Sequence, residues 1–256
     1  MTLPKTPLKI RIAKAIADRG YCSRRAAETL ILEGKVFVNN TKLLTPAFLV
    51  SPEDKIRIEG KELFVRKKPR LWCFYKPKGL LTSHKDPQGR PTVFSFLKEK
   101  FPKMPRVISV GRLDLNSEGL LILTTSGALA HYMELPKTKW IRTYRVRVFG
   151  PLDDTILKSI KKGVLENGIL YKPHNIQLEK PLKKEKVSQN NWVEISLVTG
   201  KNREVRKLFE HFNLQVNRLI RLSYGPFVLE NLKPGACKEI YFENLEEHFP
   251  KELLDA

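Results

Sequence analysis

The sequence predicts an α+β protein in two parts. A small N-terminal domain of two helices packed on a small sheet precedes a larger domain, whose mainly antiparallel sheet is flanked by helices. Three observations predict this arrangement. Two segments with helical apolar spacing come first, short alternating apolar segments separated by Gly and Pro follow from Leu71 onward, and the basic stretch 66–70 lies between them. With 256 residues, the chain is also longer than a typical single domain of ~100–200 residues.

The N-terminal elements follow from spacing and capping residues. Apolar residues recur at helical intervals over residues 12–17, and Gly20 is suited to end that helix. Ser23 is a favourable N-cap for a second helix over residues 24–33, which Gly34 ends. The patterns over residues 35–38 and 55–58 predict strands. We therefore place the first domain at residues 8–66, a linker at 67–70 and the second domain at 71–248.

Strands predominate in the second domain. Strands are predicted at 72–75, 107–110, 120–124, 143–149, 192–197 and around 219–222, and helices at 93–100, 128–133, 153–161 and 203–211. No βαβ unit repeats, which favours an antiparallel sheet. The polar stretch 180–191 is predicted to be a surface loop.

The charge balance indicates a polyanionic partner. Lys and Arg outnumber Asp and Glu by 47 to 27, a formal net charge of +20, with an excess of 8 in residues 1–68 and 12 in the rest. Nucleic acid fits such a surface. A membrane is not expected, because no apolar run approaches the ~18 residues of a span. Three distant cysteines and five scattered histidines show no metal-binding or disulfide spacing, so we expect no metal and a cytoplasmic location. The basic start of the chain is interpreted as folded structure, with a targeting peptide as the alternative.

Arg24 and Arg25 are unusual because they occupy the first turn of a predicted helix, where the helix dipole disfavours cations. Free backbone amides at that end attract anions, and two guanidinium groups would complete a phosphate site. A solvated charge pair is the alternative. Lys14 on the preceding helix favours RNA contact. The segment resembles the S4 RNA-binding domain in residues 12–17, Gly20, 23–28 and 34–39. This resemblance covers about residues 8–66 and implies binding to structured RNA.

The loop from Gly111 to Gly119 holds the highest density of residues suited to chemistry. Turn formation alone could explain its Asp, Asn, Ser and Gly residues. The alternative is that two apolar strands hold the loop while Leu113 and Leu115 anchor Asp114 on both sides, so that its carboxylate points into a cleft. An aspartate is a competent nucleophile at an anomeric carbon.

The chain closely resembles the RsuA-type family of RNA pseudouridine synthases, which carry an S4 domain ahead of the catalytic domain. The matching stretches are residues 76–79, 86–93, 111–127, 142–146 and 200–207. The resemblance implies that Asp114 is the nucleophile or base toward ribose, that Tyr144 contacts the target uracil, and that Arg206 pairs with the Asp. A core tyrosine and a solvated helix arginine are the alternative roles of the latter two.

Further cations are predicted to bind RNA. Arg112 could contact the backbone or fill the gap left by a flipped base, with a surface loop cation as the alternative. Lys76 could bind phosphate or merely begin a turn, and Lys201 and Arg203 precede Arg206 in a basic run.

The sequence thus predicts an isomerase that converts uridine to pseudouridine in ribosomal RNA, as a monomer without a cofactor. Residues 201–206 and 219–225 are most similar to family members that act on large-subunit rRNA, and small-subunit rRNA is the alternative. A non-catalytic rRNA-binding or ribosome-assembly factor with the same fold is a further alternative.

Overall fold

A computed structural model describes residues 9–65, 68–179, 190–241 and 246–254. The predicted loop at 180–191 therefore lies outside the described residues except for its last two, and so do residue 67 of the predicted linker and residues 8 and 66 of the predicted first domain.

Two helices and six short strands form the described residues of the N-terminal part. They are β1 (Ile10–Arg11), α1 (Ile12–Asp18), α2 (Arg24–Leu32), β2 (Val36–Val38), β3 (Thr41–Lys42), β4 (Leu49–Val50), β5 (Ile56–Ile58) and β6 (Lys61–Leu63). Strands β3-β2-β5-β6 form an antiparallel sheet, and β1 pairs with β4. Ser23 caps α2 as predicted, since its side chain accepts a hydrogen bond of 3.2 Å from the amide of Ala26.

In its described residues, the larger part contains eleven strands and five α-helices. They are β7 (Leu71–Lys76), α3 (Val93–Lys100), β8 (Ile108–Val110), β9 (Glu118–Thr124), α4 (Gly127–Glu134), β10 (Arg142–Phe149), α5 (Asp154–Lys162), β11 (Val164–Glu166), β12 (Ile169–Tyr171), β13 (Asn175–Leu178), β14 (Asn190–Leu197), α6 (Glu204–Glu210), β15 (Gln215–Tyr224), β16 (Phe227–Val228), β17 (Cys237–Ile240) and α7 (Lys251–Leu254). Among the described residues, 3-10 turns lie at Pro136–Thr138 and Glu246–His248.

One nine-stranded sheet dominates this part. Its order is β13-β14-β10-β15-β9-β7-β17, with β16 on β15 and β8 on β9. Only the pairing of β15 with β9 is parallel among the described strands, so the α+β class with a mainly antiparallel sheet is confirmed. The parallel pairing brings the start of β9, directly after the Asp114 loop, against the middle of β15.

Helices cover the sheet in separate groups of apolar contacts. Residues of α5 and α6 pack on β10 and β14, residues of α3 pack on β7 and β9, and residues of α4 pack on β7 and β9 in a further cluster. Tyr144 contacts both the α6 cluster and the α3 cluster, so it lies where these two meet. Tyr144 therefore marks the boundary between the α6 cluster and the α3 cluster.

At both ends of the larger part, residues predicted to lie in the linker or beyond the domain are packed against the fold. Pro69 of the predicted linker is buried, and Arg70 forms an ion pair of 2.6 Å with Glu239. Beyond the predicted end at residue 248, Phe249 is 5% exposed and packs against the α4 cluster. The packed structure therefore continues into α7.

Candidate active site

The loop between β8 and β9 presents Asp114 to solvent from a fixed backbone. Leu113 is buried against the α3 cluster and Leu115 is half-buried, whereas Asp114 between them is exposed. This alternation is the anchoring predicted from the sequence. It holds a carboxylate at the surface on a backbone that cannot move freely.

Hydrogen bonds fix the residues on both sides of Asp114. The Thr82 hydroxyl donates to the Leu113 carbonyl at 2.7 Å and lies 3.3 Å from the Leu113 amide, which donates to it. The amide of Gly79 donates to the carbonyl of Leu115 at 2.9 Å. At the start of the loop, Glu134 accepts a hydrogen bond of 2.7 Å from the Gly111 amide. Two separate segments, one at residues 79–82 and one at Glu134, thus position the loop.

Lys76 is part of this support and is not available to RNA. The side chain is fully buried, and its ammonium donates to the carbonyls of Asp114 at 3.1 Å, Ser117 at 2.8 Å and Pro77 at 3.1 Å. Burial lowers the pKa of Lys76 to about 8, although Asp114 and Glu118 oppose that shift. The structure therefore corrects the prediction of a phosphate contact, because the ammonium already donates to three backbone carbonyls.

Tyr144 lies on β10 directly opposite Ile195 on β14 and Arg221 on β15. Residues opposite each other in antiparallel strands share a face of the sheet, so the tyrosine and Arg221 point to the same side. Tyr144 is half-buried and also packs against apolar core residues. It thus combines the packing of a core tyrosine with a position in the wall of the cleft described below.

Arg206 on α6 is 8% exposed and is held by backbone carbonyls. Its guanidinium donates to Val216 at 3.0 Å and to Asn116 at 3.3 Å, so it ties α6 to β15 and to the Asp114 loop. Burial and the neighbouring Arg203 lower the pKa of Arg206, while Asp114 raises it. The predicted direct pair with Asp114 is not formed within 4.0 Å among the described residues, and the guanidinium binds one carbonyl of the loop and one of β15 instead.

These residues line one cleft of about 720 Å³. Asp114, Tyr144 and Arg206 all contribute to its wall, as do the predicted RNA-binding residues Arg112, Lys201 and Arg203. The lining holds six cationic side chains against three acidic ones, the others being Arg142, Arg221, Glu134 and Glu204. The volume is that of a small-molecule site, large enough for one nucleotide, and the cationic excess suits a phosphodiester chain.

The loop before α6 is shaped by Glu204, which the sequence reading did not single out. This carboxylate is buried and accepts hydrogen bonds from the Thr199 hydroxyl and from the Lys201 amide, the latter at 3.0 Å. Lys201 and Arg203 are exposed on this loop. The sequence did not reveal the roles of Thr82, Glu134 and Arg221 either, because their partners are distant in sequence and no local pattern marks them.

The N-terminal cations differ in their availability. Arg24 and Arg25 are exposed in the first turn of α2. Lys14, in contrast, forms an ion pair of 2.8 Å with Asp18 one helical turn later. The pair places a carboxylate beside this ammonium, whereas phosphate contact by Lys14 stays a prediction.

Neither a metal centre nor a membrane segment is found within the described part of the chain. No group of three or more His, Cys, Asp or Glu residues there could hold a metal ion. None of the described helices is long and apolar enough to cross a membrane.

Comparison with known proteins identifies the family. The family described as RNA pseudouridylate synthase matches residues 70–211, and the S4 domain family matches residues 10–56. An uncharacterized RNA pseudouridine synthase of Rickettsia felis is 51% identical over 237 residues, which cover 93% of this chain and 99% of the relative. The ribosomal large subunit pseudouridine synthase B of Escherichia coli is 38% identical, covering 96% of this chain and 83% of its own.

A solved structure agrees with these relatives. The crystal structure of a pseudouridylate synthase superposes with a TM-score of 0.62 at 26% identity, covering 94% of this chain and 100% of the other. The chain therefore belongs to the RNA pseudouridine synthase family and carries an S4 domain ahead of the synthase domain.

Proposed function

We propose that this enzyme isomerises one selected uridine of large-subunit ribosomal RNA to pseudouridine, with Asp114 as the group that acts on the ribose. The observation that carries the proposal is the exposed carboxylate of Asp114 on a loop fixed by Lys76, Thr82 and Glu134, at the wall of a cationic cleft. A preorganised carboxylate of this kind suits chemistry at an anomeric carbon.

The reaction breaks the bond between N1 of uracil and C1′ of ribose and forms a bond from C5 to the same C1′. Asp114 begins it either by attack at C1′ or by removal of a proton from C2′. The detached uracil then turns, and C5 bonds to C1′ as the bond from Asp114 to C1′ breaks or, on the second route, as the proton returns to C2′. Finally C5 loses its proton and N1 gains one. The reaction is an isomerisation without net redox change or group donor, so we propose that no metal or cofactor takes part.

The remaining cleft residues have roles that follow from their positions. The Tyr144 ring can stack on a uridine turned out of the RNA, with its hydroxyl toward the uracil edge. Arg206 acts through position, because its guanidinium ties α6 and β15 to the loop that carries Asp114. Arg112, Lys201 and Arg203 bind the RNA backbone at the cleft, while Arg24 and Arg25 bind it through the S4 domain.

The choice of large-subunit rRNA rests on similarity to the Escherichia coli enzyme, whose name specifies that subunit. Small-subunit rRNA is the second candidate. Pseudouridine mapping of total rRNA from cells with and without this protein separates the two. Loss of one site in large-subunit rRNA is the expected result, and an unchanged map of both subunits would refute the proposal.

The role of Asp114 is tested by Asp114→Asn, which keeps the size and hydrogen-bonding reach of the side chain. Single-turnover release of tritium from C5-labelled uridine should fall by several orders of magnitude, while RNA affinity and thermal stability change little. Asp154→Asn, at an exposed carboxylate in the first turn of α5, is the matched control and should retain activity. Near-normal tritium release by folded Asp114→Asn protein would instead support a different catalytic group.

A further inference from the structure

Arg221 is a buried cation beside Tyr144 whose charge the described part of the protein does not balance. It is 2% exposed, and no carboxylate of the described residues lies within 4.0 Å of its guanidinium. Its Nε donates to the Leu120 carbonyl at 2.7 Å, and its guanidinium carbon lies 5.3 Å from the centre of the Tyr224 ring. One amino group, Nη2, has no hydrogen-bond partner among the described residues.

The position of Arg221 is set by two neighbouring strands. It lies opposite Tyr144 on β10 and beside Gly119 on β9, the residue that follows the Asp114 loop and Glu118. A side chain on Gly119 would meet the Arg221 backbone, with a Cβ atom only 2.4 Å from its carbonyl oxygen. Arg221 is thus held between the proposed uracil contact and the end of the loop that carries Asp114.

Buried polar atoms without partners concentrate at this cleft. In the described residues they are Ser117 Oγ, Arg206 Nε and Arg221 Nη2, and all three residues line the cleft wall. An unpaired buried donor destabilises the folded state, and a buried charge without a partner destabilises it more. A role limited to bracing β9 against β15 would need only a neutral donor to the Leu120 carbonyl. The guanidinium charge therefore points to a negative charge that develops in the cleft during the reaction.

We infer that Arg221 stabilises the uracil anion that forms when the glycosidic bond breaks. This inference rests on the proposed function and deepens it. When N1 separates from C1′, the electron pair of that bond stays on uracil, and the negative charge spreads over the ring nitrogens and carbonyl oxygens. A fixed cation in a site shielded from water stabilises such charge without reorganisation. The anion is consumed when C5 bonds to C1′ and C5 later releases its proton.

The experiment compares two leaving groups in one rRNA fragment. The target position carries either uridine or 5-fluorouridine, whose electron-withdrawing fluorine stabilises the detached anion without help from the protein. Single-turnover loss of the starting nucleoside is measured after nuclease digestion, because the fluorinated base has no C5 proton to release. The proteins are the unmodified enzyme, Arg221→Gln, Arg221→Lys and the control Arg147→Gln, at an exposed arginine of β10.

The loss caused by Arg221→Gln should depend on the leaving group. On uridine the rate should fall by about 100-fold, the usual effect of removing one preorganised donor. On 5-fluorouridine the rate of Arg221→Gln should fall by about 10-fold or less. Arg221→Lys should retain more activity on uridine than Arg221→Gln does. Arg147→Gln should react like the unmodified enzyme on both substrates. Equal losses on both substrates would assign Arg221 to structural support alone, and no loss on either would exclude any part in the reaction. Absence of turnover by the unmodified enzyme would instead refute the proposed function.

Discussion

The ammonium of Lys76 donates a hydrogen bond of 3.1 Å to the backbone carbonyl of Asp114. Because the same ammonium also binds the carbonyl of Ser117, it connects the end of β7 to both ends of the turn that carries the exposed carboxylate. Lys76 thus acts on the proposed chemistry through the position of Asp114, and its own charge never reaches the RNA.

The charge state of Lys76 should make stability depend on pH. Burial lowers the pKa of Lys76 to about 8, from 10.5 for an ordinary lysine. Between these values the unfolded chain holds the proton more tightly than the folded one, so the free energy of unfolding rises with pH in that window. A shift of this size corresponds to roughly 3 kcal/mol.

The comparison is with Lys76→Met, which lacks the titrating group. Urea unfolding of both proteins at pH 7.5 and pH 10 should show the unmodified protein gaining stability relative to the variant. A constant difference between the two proteins across this range would contradict a buried, protonated Lys76.

Thr82→Val should impair catalysis more than binding. The Thr82 hydroxyl both donates to and accepts from the backbone of Leu113, the residue before Asp114, and valine removes both hydrogen bonds while keeping the shape. A misplaced reacting group of about 1 Å can cost 10²-fold in rate, so we expect kcat to fall by about 10- to 100-fold with KM nearly unchanged. Thr82→Ser keeps the hydroxyl and should retain most activity. Equal kcat values for the two variants would show that these hydrogen bonds do not control Asp114.

Gly119→Ala should destabilise the fold strongly. The backbone of Gly119 has a φ of +100°, and an added Cβ would lie 2.4 Å from the carbonyl oxygen and 2.6 Å from the amide nitrogen of Arg221. Both obstacles are backbone, so the parallel pairing of β9 and β15 would have to open, at a cost of about 3 kcal/mol or more.

The control for Gly119 is Gly168→Ala in the turn between β11 and β12. Its φ is +75°, but an added Cβ meets nothing within 4 Å. Gly168→Ala therefore costs only the strain of alanine in the left-handed backbone conformation, about 1 kcal/mol. Similar melting temperatures for the two variants would mean that β15 can move away from Gly119.

The sequence predicted the fold class and most long elements because these depend on local patterns. A continuous apolar run predicted the buried strand β9, and the N-cap Ser23 predicted the start of α2. The four-residue strands β13 and β17 and the two-residue strands, among them β1 and β4, are too short for their pattern to be recognised. Pairing with a neighbour creates these strands, and pairing is not visible in the sequence.

The same distinction applies to the site. Asp114 could be found because turn formers surround it between two apolar strands. Lys76 was given the wrong role because a Lys-Pro-Lys-Gly segment looks like an exposed turn, whereas the carbonyls that bind its ammonium belong mainly to a loop about forty residues later. Arg221 lies in an apolar strand pattern, and only the cross-strand register places it beside Tyr144.

RNA binding should depend on Arg24 and Arg25 through salt-sensitive phosphate contacts. Both are exposed in the first turn of α2, away from the cleft, so the double variant Arg24→Ala/Arg25→Ala should bind an rRNA fragment more weakly. Each lost phosphate contact should lower the slope of log affinity against log salt by about 0.7–0.9. The single-turnover rate at saturating protein should stay near normal, because Asp114 is untouched.

Lys158→Ala/Lys161→Ala on α5 removes the same charge at two exposed positions and serves as the control. Lys14→Ala should change the slope less than either S4 arginine, since its ammonium is already paired with Asp18. If the S4 double variant and the α5 control show the same slope, the S4 domain binds no phosphate through these arginines, and the cleft cations must provide the salt-dependent affinity.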